Sequence, residues 1–464
     1  MERDIKRRLI LGFVANWVSK LSASVVQLAQ VPDFLHFWSV PLYGEWMIVS
    51  SIPAYLSFSN IGFGSVAYNE MTISIGAGDR ERALRVFQSC WWLIIVLCSA
   101  VGVVLGLALY YLPVAYSLRL HEISAEDTKW IIFFLGCSVL LGQLEQLLGS
   151  AYTCIGRYVY GSLIKNGLSL FAFAATMSAV ALRYGPRDTA LVLALANMFG
   201  TIYLCFSVRR DIPWIEYGWQ YARISEIRRL AAPAIAFMGF PLGNALNLQG
   251  SLLVVGLALG PTNVVVFGTA RTVSRVALQL VQMVNSTFWP ELSNAYGANN
   301  WPLIRALHRR ACQMALVIAI LAVSTMITLG PWFLNHWTEG HVPPSRPLLS
   351  ILLLVVVLNS LWSTSSTLVI AINQHRRLAF YYVLGTGITV VFTYIFAKQF
   401  GLYGAASSLL ISELIMNLYV LPDSLRISHD TFPNFLSSLI RFPASLQPKG
   451  VLRRLRRSKF FHQN

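Results

Sequence analysis

Residues 7–12 read RRLILG, and residues 228–233, 221 positions later, read RRLAAP. The same spacing relates EMTISIGAG at 70–78 to ELSNAYGAN at 291–299, so a glutamate and a Gly-Ala pair recur in register. A further match, RAL at 82–84 and at 305–307, shows that the spacing slips by two. The chain therefore contains two copies of one unit, read in the same direction. In an apolar chain, paired halves of this kind are typical of transporters.

The composition is that of a membrane protein. The 464 residues are 56% hydrophobic and 12% charged, against roughly 25% charged in soluble domains. Bilayer-spanning helices need about 20 apolar residues each, and the apolar runs are long enough to predict an all-α polytopic protein of about twelve spans. We place the spans at approximately 9–32, 43–69, 84–112, 128–153, 158–182, 189–207, 229–258, 262–289, 303–333, 348–372, 378–398 and 402–421. The two six-helix bundles then occupy residues 1–210 and 211–421, and a basic tail follows at 422–464.

The net charge of +16 reports orientation. If the N-terminus is cytoplasmic and residues at span ends are counted with the nearer face, 26 of the 36 Lys and Arg are cytoplasmic and 6 are on the other side. This is the positive-inside pattern, so we expect both termini in the cytoplasm and no nucleic acid as partner. The tail basics at 453–459 are expected to lie against anionic lipid headgroups.

Four basic residues remain within spans. Lys20 lies roughly 16 Å into the first span, and Arg271 and Arg275 lie roughly 13 and 20 Å from the outer end of the eighth. Charges at that depth face protein or a water-filled cavity, and the i,i+4 arginines share one helix face, suited to gripping phosphate oxygens. Lys165, about 10 Å into the fifth span, either lines the cavity or extends to the interface.

Several acidic residues have open alternatives. Glu145 and Glu413 either neutralise the cations as structural ion pairs or act as proton-coupling carboxylates. Glu70 and Glu291 follow equivalent spans, and each either pairs with an arginine of its own loop or forms a gate salt bridge. Glu45 lies near an outer span end, where a solvated role is expected.

Enzyme chemistry has no support in the sequence. It has no phosphate-binding Gly-Lys-Ser/Thr loop, no His-Glu-x-x-His and no nucleophile elbow. The eight histidines and six cysteines show no metal spacing, and no cofactor is expected. Pro53 and Pro233, inside spans, predict kinks that would suit bundles rocking against each other.

Three stretches carry a family resemblance: VPDFL at 31–35, LYGEW at 42–46 and IGFGSVA at 61–67. With the parallel six-plus-six repeat, they resemble the bacterial polysaccharide or O-antigen flippases (Wzx type) of the multidrug/oligosaccharidyl-lipid/polysaccharide exporter superfamily. Many relatives carry an acidic residue where this chain has Asn60.

The resemblance implies two bundles around a central cavity that opens alternately to each side of the inner membrane. Its implied cargo is a polyprenyl-pyrophosphate-linked glycan destined for surface polysaccharide such as lipopolysaccharide, with a polysaccharide polymerase as a possible partner. Family members place cations of the first and eighth spans around this cavity, as Lys20, Arg271 and Arg275 would do. A multidrug and toxin extruder is the alternative within the fold, although it would favour carboxylates at those places. A membrane glycosyltransferase is disfavoured, because the longest outer loop has about fifteen residues.

Overall fold

The computed structural model describes residues 22–60, 63–118, 120–372 and 374–440. Lys20 and the basic tail after residue 440 lie outside these ranges. The helices of the first half are α1 (22–37), α2 (Val40–Ser51), α3 (Phe63–Gly76), α4 (Arg80–Tyr111), α5 (Val114–Leu118), α6 (Ala125–Cys154), α7 (Tyr158–Ala181) and α8 (Pro186–Asp211). Those of the second half are α9 (Ile224–Ala245), α10 (Ser251–Leu259), α11 (Pro261–Gly297), α12 (Trp301–Trp337), α13 (Arg346–Ala371), α14 (His375–Ile427) and α15 (Phe432–Ile440).

The predicted architecture, an all-α polytopic protein of two repeat bundles, is confirmed. Nine of the described helices are long and apolar enough to cross a membrane. Each predicted span has a helical counterpart, with α14 supplying two arms that meet at Gly401, where φ is 61°. The last arm continues beyond the predicted end to Ile427, and the amphipathic helix α15 then packs on α12.

Short polar side chains cap the starts of several helices. The carboxylate of Asp79 accepts a hydrogen bond from the Arg82 amide at 2.8 Å at the start of α4. Ser124 does the same for the Asp127 amide at 3.0 Å at the start of α6. Such caps supply acceptors for amides that have no helical partner.

Two breaks interrupt the predicted spans. A 3-10 segment at Pro53–Asn60 separates α2 from α3, as the proline at 53 predicted. In the seventh span α9 runs on through position 233, so no helix break occurs there, and the irregularity is instead a π-helical turn at Leu246–Gly250. Pro241, the proline of α9 nearest to this turn, lies five residues before it. A π turn is commonly found at functional sites because it rearranges the local hydrogen bonding.

The two halves are joined most extensively at the end that the charge pattern predicts to be outside, hereafter the outer end. One apolar core there contains residues of both halves, among them Phe34, Trp46, Val264, Phe267 and Leu348. Gly44 of α2 lies so close to the backbone of Pro261 that a Cβ would be 2.2 Å from its carbonyl oxygen. This packing closes the outer end.

At the opposite end, which the charge pattern predicts to be cytoplasmic and which is hereafter the cytoplasmic end, the large clusters belong mainly to single halves. One cluster contains residues of α3, α4, α6 and α8 with Ile212 and Ile215 of the segment after α8, and Ile227, Leu230 and Ala231 of α9 also pack in it. Another, around Leu292 and Leu368, contains second-half residues alone. Side chains of both halves therefore close the outer end, whereas α9 supplies the second half's contacts to the larger cytoplasmic cluster.

Candidate functional site

Arg271 is held by the π turn of the neighbouring span. Its guanidinium donates to the carbonyls of Asn247 at 2.8 Å and Leu248 at 3.3 Å, to the Asn247 side-chain oxygen, and to the Ser251 hydroxyl at 2.7 Å. It also lies 5.7 Å from the centroid of the Phe267 ring. Intramembrane cations commonly pair with backbone carbonyls, and a π turn makes carbonyls available for that purpose. Arg271 is therefore a structural link between α11 and the irregular part of the seventh span.

Arg275, one turn along α11, has a different environment. It is half-buried, and no hydrogen bond or carboxylate within 4 Å satisfies it among the residues that the structure describes. Arg271 and Arg275 line the same cavity of about 230 Å³ between the halves. The cavity walls are strongly polar and include Gln27, Gln30, Ser50, Gln249 and Thr272. A cation without a partner facing such a cavity can bind an anion.

Glu413 does not form a salt bridge with either arginine in the described part of the chain. It is buried and accepts hydrogen bonds from Trp362 Nε1 at 2.5 Å and Asn359 Nδ2 at 3.1 Å. Its charge is close enough to Arg271 for an electrostatic interaction, and Tyr382 interacts with both. Glu413 therefore balances part of the charge of Arg271 at a distance. The arginine pair keeps an excess of positive charge.

Glu145 lies in the first half, away from the arginine pair. It accepts a hydrogen bond from the Thr201 hydroxyl at 3.0 Å, and it shares a cavity of about 440 Å³ with Lys165. The two side chains interact electrostatically, although no ion pair within 4 Å is formed between them in the described structure. The counter-ion alternative for Glu145 thus concerns Lys165 and not the arginines.

Three cavities follow one another toward the cytoplasmic end. Gln30 is common to the arginine cavity and the Glu145 cavity. Lys165 and Asn166 are common to the Glu145 cavity and a third one, of about 470 Å³, which reaches Tyr158 at the cytoplasmic start of α7. Lys165 therefore lines two of these neighbouring cavities, and Arg275 lines the third.

The repeated glutamates have different environments. Glu70 forms an ion pair with Arg229 of the other half at 2.8 Å and approaches Arg82 of its own loop at 3.6 Å. Glu70 therefore contacts both an arginine of its own loop and an arginine of the other half, which are the two alternatives that the sequence left open. Glu291 is exposed, and no ion pair reaches it within the described ranges. The Glu70–Arg229 pair ties the halves together at the cytoplasmic end.

The prediction that Glu45 is solvated is wrong. Glu45 is 1% exposed, and its carboxylate accepts hydrogen bonds from the backbone amides of His121, Glu122 and Ile123 at 2.5–3.0 Å. The loop after α5 folds over this carboxylate, so the charge is satisfied by amides rather than by water. Sequence analysis also missed Gln27 and Gln30. Their signal was two side-chain amides three residues apart, near the outer end of the first span.

Other chemistry has no support among the described residues. No group of three His, Cys, Asp or Glu in those ranges could hold a metal ion. All six cysteines are free thiols, buried or half-buried.

The fold is that of known transporters. No protein-family model matches the sequence, and no curated protein matches it either. An inward-facing multidrug resistance MATE family transporter of the MOP superfamily superposes with a TM-score of 0.74 at 16% identity, over 89% of this chain and 98% of that one. The lipid II flippase MurJ in an inward closed conformation gives 0.71 at 16% identity, over 93% and 90%. An outward-facing MATE transporter gives only 0.62 at 14% identity, over 92% and 95%. The likeness shows the fold.

Proposed function

We propose that this chain is a flippase of the bacterial inner membrane. Its cargo is a polyprenyl-pyrophosphate-linked oligosaccharide, moved by alternating access to the outer leaflet for surface polysaccharide such as the O-antigen of lipopolysaccharide. Both termini are then cytoplasmic, and a polymerase on the outer side receives the glycan. No reaction is catalysed, in keeping with a fold shared by transporters and a lipid flippase.

The observation that carries the proposal is the environment of Arg275. Arg271 is already satisfied by carbonyls and a hydroxyl, whereas Arg275 faces the cavity with no such partner in the described structure. Desolvated phosphate oxygens bind a guanidinium strongly and in a bidentate manner. The amides of Gln27, Gln30 and Gln249 in the same walls can bond sugar hydroxyls. A headgroup in this cavity would therefore contact both the charged guanidinium of Arg275 and the neutral side-chain amides.

The multidrug extruder remains the second candidate because one observation favours it. Glu145 is a carboxylate held by Thr201 in a cavity of about 440 Å³, and a cationic drug would seek such a group. The MATE transporters share the fold. The excess positive charge at Arg271 and Arg275 acts against this function, because a cation entering the cavity that these arginines line would be repelled.

Binding to the purified full-length chain in lipid nanodiscs tests the proposal. The probes are a polyprenyl pyrophosphate, the matching uncharged polyprenol, and a fluorescent organic cation. We expect the pyrophosphate to bind more tightly than the polyprenol, Arg275→Ala to abolish this preference, and Arg275→Lys to retain part of it. Arg310→Ala, an exposed cytoplasmic arginine of α12, is the matched control.

The outcomes separate the two candidates. Equal binding of the pyrophosphate and the polyprenol would end the flippase proposal. Binding of the organic cation that is lost in Glu145→Gln and unaffected by Arg275→Ala would establish the extruder instead.

A further inference from the structure

A separate cavity lies at the cytoplasmic end of the second half. Its volume is about 590 Å³, and it does not share lining residues with the arginine cavity, the Glu145 cavity or the third cavity described above. It is enclosed by the end of α11, the start of α12, the end of α13 and both ends of α14. The residues that matter for its chemistry are Trp301, Arg376, Arg377, Tyr419, Asp423 and Arg426.

The basic residues of this cavity are available for a ligand. Arg376, Arg377 and Arg426 are exposed, and within the described ranges none of their side chains forms a hydrogen bond or an ion pair. Two nearby arginines are already engaged. Arg309 forms a bidentate pair with Asp430 at 2.5 and 2.6 Å, and Arg305 donates to the Ser428 carbonyl at 3.3 Å.

The charge balance in the cavity favours an anion. Three guanidinia face one carboxylate, that of Asp423. The N-terminus of α14 begins at His375, beside Arg376, and its free amides add positive potential. Like charges held close together repel one another, and an anionic ligand with several oxygens would relieve that repulsion.

An apolar surface continues from the arginines along both arms of α14. Phe380 and Leu384 follow Arg376 at steps of four residues, so they extend its helix face, and they are 64% and 44% exposed. On the other arm, Leu414 and Leu418 are 50% and 77% exposed. These side chains lie on membrane-spanning helices and are not covered by protein, so they are positioned to contact acyl chains.

We propose that this cavity binds the headgroup of an anionic phospholipid from the cytoplasmic leaflet. The phosphate and the second negative group contact Arg376, Arg377 and Arg426, and the acyl chains lie along the exposed face of α14. Basic pockets between spans on the cytoplasmic side are suited to such headgroups. A soluble phosphate would use the arginines but would leave the apolar face unexplained. The site is distinct from the transport path and does not depend on the cargo proposed above.

The test uses the full-length chain purified in a neutral detergent. Native mass spectrometry counts retained phosphatidylglycerol against phosphatidylcholine of the same acyl chains, for wild type and for the double variant R377Q/R426Q. A basic residue near an anionic surface contributes about fivefold in affinity, so we expect the double variant to bind phosphatidylglycerol roughly 25-fold less tightly. The control R223Q/R310Q removes two exposed arginines of the same face that are not among the residues lining this cavity, and it should bind as wild type does.

A third variant keeps the test independent of folding defects. Asp423→Asn removes the carboxylate that opposes the arginines, and it should tighten phosphatidylglycerol binding by several fold, a gain that misfolding cannot produce. Three results would overturn the proposal. They are an equal loss in the control variant, no gain in Asp423→Asn, and complete displacement of the lipid by glycerol phosphate at equal concentration.

Discussion

Replacing Arg271 and Arg275 separately by alanine should separate stability from transport. The two residues are one helical turn apart, and sequence alone assigns them one role. In the structure, however, Arg271 makes four hydrogen bonds to Asn247, Leu248 and Ser251. Arg275 makes none with the described residues. We expect Arg271→Ala to destabilise the protein and Arg275→Ala to abolish cargo binding in a stable protein.

The hydrogen bonds of Arg271 determine how far Arg271→Ala should lower the free energy of unfolding. Side-chain hydrogen bonds between membrane helices contribute on average about 0.6 kcal/mol each, so the four bonds of Arg271 are worth roughly 2–3 kcal/mol. Removing the buried charge also relieves part of its desolvation, which opposes this loss. A net destabilisation of about 2 kcal/mol is therefore expected for Arg271→Ala. For Arg275→Ala the change should stay below about 0.5 kcal/mol, as at a site with no specific bonds.

Two measurements on the same preparations check this. Reversible unfolding in mixed micelles gives the stability difference, and pyrophosphate-lipid binding in nanodiscs gives the functional one. Arg271→Gln retains an amide donor for the π turn and should recover part of the stability. If Arg275→Ala proves the less stable variant, or if Arg271→Ala unfolds as wild type does, the division of roles between the arginines is wrong.

Three other predictions concern charges away from the cavity. Glu70→Gln and Arg229→Gln should each widen the cytoplasmic-end distances between the halves measured by double electron–electron resonance, although an exposed pair contributes only about 0–1 kcal/mol. The double variant should widen these distances no further than either single variant, and additive widening would remove the pair as a link between halves. Glu45→Gln should cost about 2 kcal/mol, because backbone amides then lose a charged acceptor, and faster hydrogen exchange at residues 121–123 checks it. Burial raises the pKa of Asp430, but the hydrogen bonds from Arg309 and the Thr431 amide, together with the charges of Arg309 and Arg305, outweigh burial and hold that pKa below 3.8. The stabilisation is thus complete above 3.8 and disappears as the pH falls through the lowered value, so residues 432–440 should be cleaved by an acid protease faster at pH 3 than at pH 5, and an Asp430→Asn variant should not show this difference.

Much of the fold was predictable because it depends on average properties of the chain. Apolar length decides which segments span the bilayer, and the arginine and lysine asymmetry decides their predicted direction. Pro53 predicted the helix break at Pro53–Asn60, because proline lacks the backbone N–H that donates the helical hydrogen bond. The π turn at Leu246–Gly250 could not be predicted in this way. It contains no proline, and its hydrogen bonding is completed by Arg271, which is 20 or more residues away in sequence.

The candidate site was predictable only in part, since partners depend on tertiary contacts. The free-energy cost of placing a charge inside the membrane is enough to predict that Arg271, Arg275, Lys165 and Glu145 face protein or a cavity. It does not say which of them is already satisfied. Glu45 shows the same limit, because the amides that bind it come from a loop 76–78 residues further along the chain.

The repeat itself explains why the site is in one half. At the spacing of 221, the positions equivalent to Arg271 and Arg275 are Ser50 and Ala54, and the segment equivalent to the arginine-bearing part of α11 is the 3-10 break after Pro53. Ser50 lines the same cavity from the opposite side. The two copies of the repeat therefore differ at the cavity. The second half supplies a continuous helix with two arginines, whereas the first half supplies a helix that is interrupted after Ser50. A cavity with one charged wall and one neutral wall can hold a charged headgroup without enclosing it in charge on both sides.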